Sequence, residues 1–135
     1  MKSRNGFVSN SSSSSFILAW KGNYDEDDLR IMFKVPCNIP YESPLHGLTE
    51  QVFNTFIENM HERFDTIDDY AKWAEENFYM MDEYKEIKSL LENGFTVQMG
   101  SFSTDEAQNP IEYFLASHEF NYSSDDFVII HDGVF

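Results

Sequence analysis

A chain of 135 residues, 41% hydrophobic and 16% aromatic, holds material for one core, and division into two domains would starve both halves, so a single domain over 1–135 is expected. A formal net charge of −15 speaks against direct nucleic-acid binding and against adhesion to anionic membrane, because like charges repel over about 8 Å at physiological salt. The single cysteine, Cys37, leaves no intrachain disulfide and no Cys-rich zinc site, and with no apolar run near the roughly 18 residues of a bilayer span and no secretory leader, a cytoplasmic location is expected.

In chain order, residues 1–15 read as a flexible serine-rich segment, with Phe7-Val8 a short strand and Asn10 to Ser15 a loop, because serine hydroxyls satisfy their own backbone and resist helix. Phe16 to Trp20 reads as a strand at a sheet centre, since Phe, Ile, Leu and Trp in succession suit burial on both faces. Leu29, Ile31, Phe33 and Val35 alternate with Arg30, Met32 and Lys34, which predicts a half-buried strand over Leu29–Val35. The following stretch to Gly47, with Pro36, Asn38, Pro40, Ser43 and Pro44, reads as a loop.

Helical spacing begins at Thr49, which reads as an N-cap, and Val52, Phe53, Phe56, Ile57, Met60 and Phe64 extend one apolar stripe to about Phe64. Thr66 with Asp69 forms the pattern of a capping box for a second helix, apolar at Ile67, Tyr70, Ala71, Trp73, Ala74 and Phe78. A third, about Asp82 to Glu92, carries Tyr84, Ile87, Leu90 and Leu91, and Asn93-Gly94 stops it. Phe95 to Ser103 returns to period two, with Gly100 marking a bulge or turn. Pro110 opens a short helix over Ile111–His118, Phe127 to Ile130 is a fourth strand, and Asp132-Gly133 is a turn signal. The order β-β-α-α-α-β-α-β predicts an α+β domain: a small, mainly antiparallel sheet of about four strands, with three central helices and one later short helix on one face.

Charge is unevenly placed. Residues 1–35 hold five bases against four acids, whereas residues 36–135 hold twenty acids and four bases, Arg63, Lys72, Lys85 and Lys88. Ten of those acids, Glu58, Glu62, Asp65, Asp68, Asp69, Glu75, Glu76, Asp82, Glu83 and Glu86, crowd the three central helices, where i, i+4 partners ordinarily balance such charge for a few tenths of a kcal/mol each. An unbalanced face of this kind is similar to that of phage DNA mimics, which occupy the basic grooves of nucleic-acid-handling proteins. The ten carboxylates are therefore the candidate partner-binding residues and a basic host protein surface is the expected partner, with Tyr79, Tyr84 and Tyr113 as candidate aromatic anchors. The oligomeric state stays open.

Catalytic chemistry has little to stand on. His61-Glu62-Arg63-Phe64-Asp65 begins like the H-E-x-x-H zinc motif but has Asp65 where the second histidine belongs, and with no third ligand evident it reads as a solvated helix face, so neither metal nor cofactor is expected. No nucleophile elbow, P-loop or dinucleotide fingerprint occurs. An enzyme or ligand-binding domain with a cleft near the sheet would draw on His118, His131 or Cys37.

The serines Ser11, Ser12, Ser13, Ser14 and Ser15 form a candidate recognition or processing segment, where phosphorylation would add close to two negative charges per site. A phosphate-binding loop would want the Lys and glycines of a P-loop, which are missing. The string from Arg4 to Phe16 resembles an N-terminal signature, RxGFVSNSSSSSF, carried by many otherwise unlike small proteins of bacteriophages and bacteria. The resemblance implies a shared tag or processing element and a phage or bacterial source, and it brings no assigned chemistry.

Overall fold

The computed structural model describes residues 13–38, 42, 44–76 and 85–131. Among them the elements are β1 (Ser13–Trp20), α1 (Glu26–Met32), α2 (Lys34–Asn38), α3 (Thr49–Glu58), β2 (Met60–Phe64), α4 (Ile67–Glu76), α5 (Lys85–Glu92), β3 (Thr96–Ser103), α6 (Pro110–Ser117), β4 (Tyr122–Ser123) and β5 (Phe127–Ile130). The fold is α+β with an antiparallel sheet, as expected, in the order β2-β3-β1-β5-β4. It has five strands where about four were expected: Leu29–Val35 is not among them, and β2 and the two-residue β4 are additional.

Strand β1 lies at the centre, pairing with β3 from Ser13↔Ser103 to Trp20↔Thr96 and with β5 from Ile17↔Ile130 to Trp20↔Phe127. A central strand is buried on both faces, which is why it reads as a continuous apolar run. Phe16, Leu18 and Trp20 point to one face with Phe102, Phe127 and Ile129, and there they meet Leu29, Phe33, Cys37, Val52, Phe53, Phe56 and Leu115 from α1, α2, α3, α6 and the residues between them. Ile17 and Ala19 point to the other face with Val97, Met99 and Val128, against Tyr70, Ala74, Ile87 and Leu91 from α4 and α5. Helices thus cover both faces of the sheet, which corrects the one-face expectation: alternate residues of β1 each require a cover, and one helical layer supplies only one.

The first core is aromatic. Phe16 stacks on Phe102 at 4.6 Å between ring centroids, and Phe56 meets both Phe16 and Phe33 edge-on at 4.7 and 5.1 Å, contacts worth about 0.5–1.5 kcal/mol per pair beyond area burial.

Leu29–Val35 is helical and not a strand. Asp25 caps α1 through a full capping box: its Oδ1 accepts the Asp28 N–H at 2.9 Å, and Asp28 Oδ2 accepts the Asp25 N–H at 3.1 Å. Leu29, Phe33 and Cys37 are buried at i, i+4 spacing, while Ile31 and Val35, which completed the alternation, are 58% and 44% exposed. Pro36 sits in the first turn of α2, where its missing N–H costs nothing.

Helix α3 stops at Glu58, six residues before the expected end, and its N-cap is Leu48 with no side-chain cap bond. Met60–Phe64 instead forms the edge strand β2 on β3, and Phe64 packs edge-on against Tyr70 and Trp73 at 5.7 and 5.6 Å. Thr66 caps the helix as expected, its Oγ1 accepting the Asp69 N–H at 3.1 Å, but the return bond of the capping box falls one residue early, Asp69 Oδ2 accepting the Asp65 N–H at 3.2 Å. At the end of α5 the Phe95 N–H reaches Leu90 O at 3.0 Å and the Gly94 N–H reaches Leu91 O at 3.1 Å, with Gly94 at φ +90°, a Schellman stop of the kind Asn93-Gly94 predicts. Ser13, Ser14 and Ser15 belong to β1 and not to a loop. Phe7-Val8, Ser11, Ser12, Phe78, Tyr79, Asp82, Glu83, Tyr84 and Asp132-Gly133 lie outside the described residues.

Candidate functional site

The acidic set spans four consecutive elements. Glu58 ends α3, Glu62 lies on β2, Asp65 is in the turn after it, Asp68 and Asp69 open α4, Glu75 and Glu76 are its last described residues, and Glu86 lies on α5. Glu62 is partly buried and the other seven are exposed. Two have intramolecular duties: Asp69 caps α4, and Asp65 Oδ1 lies 3.1 Å from Arg63 Nη2, whose guanidinium stands over the Trp20 ring at 5.6 Å. Among the described residues Glu58, Asp68, Glu75, Glu76 and Glu86 enter no ion pair.

Their placement along the helices is informative. A helix C-terminus carries partial negative charge, and a base there is worth about 0.3–1 kcal/mol, whereas an acid costs a similar amount. Helices α3 and α5 end in Glu58 and in Glu92, and neither has a base in its last turn. These two helices therefore hold carboxylates where the backbone dipole opposes them, whereas Asp68, in the first turn of α4, stands where it favours an acid.

The zinc-like string does not form a ligand pair. His61 stands on β2 and Asp65 in the turn beyond it, so the i, i+4 helical face assumed for them does not exist.

The three groups offered for an enzymatic reading have separate surroundings. Cys37 is buried, and burial pushes its thiol up to about 11 from 9.0, with a hydrogen bond to Thr49 opposing, so it is a poor nucleophile at neutral pH. His118 is exposed, stacks on Phe114 at 4.1 Å and has Nδ1 3.0 Å from Phe114 O. His131 is 1% exposed, its Nε2 lies 2.7 Å from Ser14 Oγ, and that hydroxyl donates to Ala116 O at 3.2 Å. Ser14 Oγ thus bridges the imidazole and the Ala116 carbonyl. The His131 backbone is held by Asn121 Oδ1 at 2.8 Å and by the Phe120 N–H at 2.9 Å. This network ties β1, α6 and the end of β5 together, a structural duty that sequence could not reveal for partners 117 residues apart.

A shallow groove of about 430 Å³ runs along β4 and β5, lined by Asn121, Tyr122, Ser123, Val128, Ile129 and Ile130. Its walls carry no side chain charged at neutral pH, its polar groups being the Asn121 amide, the Tyr122 phenol and the Ser123 hydroxyl.

Glu112 escaped the sequence reading. It is a buried carboxylate whose Oε2 accepts the Ser103 N–H and whose Oε1 accepts the Gln108 N–H, each at 2.9 Å, pinning the turn between β3 and α6. The signal was present: Asn109-Pro110-Ile111-Glu112 places an acid three residues after an N-cap, and Asn109 Oδ1 does accept the Glu112 N–H at 2.9 Å. Among the described residues, no helix is long and apolar enough to cross a membrane. No protein-family model, curated protein or solved structure matches the chain.

Proposed function

We propose that this is a non-enzymatic accessory protein of phage or bacterial origin that occupies a basic surface of a nucleic-acid-handling host protein, its helix-borne carboxylates standing in for phosphates. The observation that carries the reading is that α4 and α5, neighbours on one face of the sheet, expose Asp68, Glu75, Glu76 and Glu86, which enter no ion pair among the described residues. Like charges left unpaired on neighbouring helices repel one another, which supports a role for them outside the fold. The phage or bacterial source rests on the N-terminal resemblance.

The test is capture from a bacterial lysate at low salt, with wild type beside a variant carrying Glu58→Gln, Asp68→Asn, Glu75→Gln, Glu76→Gln and Glu86→Gln, which spares the capping Asp69 and the paired Asp65. Wild type is expected to retain a basic nucleic-acid-binding protein, and added salt or duplex DNA is expected to release it, because charge pairs at an interface rim are screened. The variant is expected to retain at least tenfold less. Retention indifferent to salt, to DNA and to the five neutralisations would overturn the proposal.

A further inference from the structure

We draw no further inference here: the strongest candidate, the shallow, mostly apolar groove along the β4–β5 hairpin at one edge of the sheet, is an unpartnered face, and nothing in the structure shows what covers it.

Discussion

Gly100 shows how one missing side chain admits a strand crossing. It lies within β3 opposite Phe16 on β1 and Met60 on β2, where the β2–β3 register shifts, and a Cβ built there would stand 2.1 Å from Asn59 O and 2.5 Å from Phe16 Cζ. The first of these atoms is backbone that cannot swing aside, so Gly100→Ala is expected to cost on the order of 3 kcal/mol, at or beyond the upper end of ordinary overpacking. Urea denaturation checks this, and a cost under about 1 kcal/mol would refute the close approach of α3's end to β3. Cys37 gives a second residue-scale test. Its thiol pKa is raised from 9.0 to about 11 by burial, so the folded state holds its proton more tightly than the unfolded one. The resulting stability is fully present below pH 9 and is lost as pH rises towards 11, by about 2–3 kcal/mol. Wild type is expected to lose that much more than Cys37→Ala between pH 9 and 11, and its thiol to react with iodoacetamide at pH 8 only upon unfolding.

At the scale of elements, period-two alternation and helical spacing gave opposed readings of the same residues in α1 and α2. Leu29, Ile31, Phe33 and Val35 alternate perfectly, yet a helix needs only Leu29 and Phe33, four apart, to face the core, and the Asp25–Asp28 capping box decides for it. The two readings part on mutation. Ile31→Lys and Val35→Lys are expected to change stability by no more than about 0.5 kcal/mol, whereas Leu29→Ala and Phe33→Ala are expected to cost about 2–5 kcal/mol; four equal costs in chemical denaturation would restore the strand. The error at β2 has a different origin: Met60 and Phe64 continue the stripe of α3 by spacing, but pairing with β3 and packing of Phe64 on Tyr70 and Trp73 outweigh local helical preference. Where local chemistry and tertiary packing agree, as in β1, α4, α5, α6 and β5, the elements were legible from residues alone. The candidate site was legible as a charge count, but not as a surface, since α3 packs on one face of the sheet and α4 and α5 on the other. Ser14 with His131, and Glu112 with Ser103, were illegible as pairs, because only the sheet brings them together.

For the whole molecule the governing quantity is the net charge of −15, which acts on stability and on binding with opposite salt dependence. Uncompensated carboxylates repel one another across the folded surface, and this repulsion is relieved when the chain expands. Raising ionic strength from about 0.01 M to about 0.15 M shortens the screening length from about 30 Å to about 8 Å, so the melting temperature is expected to rise over that range. With Asp68 left in place, because the dipole of α4 favours an acid in its first turn, a variant neutralised at Glu58, Glu75, Glu76 and Glu86 is expected to melt higher than wild type at low salt and to respond less to added salt. Binding to a basic partner follows the reverse course, because the same screening weakens attraction between opposite charges. Calorimetric melts and captures across one salt series therefore separate the two roles of these residues: the variant should gain stability while losing its partner. A variant that loses both would mean that Glu58, Glu75, Glu76 and Glu86 serve the fold, and the case for an outward-facing anionic surface would fail with it.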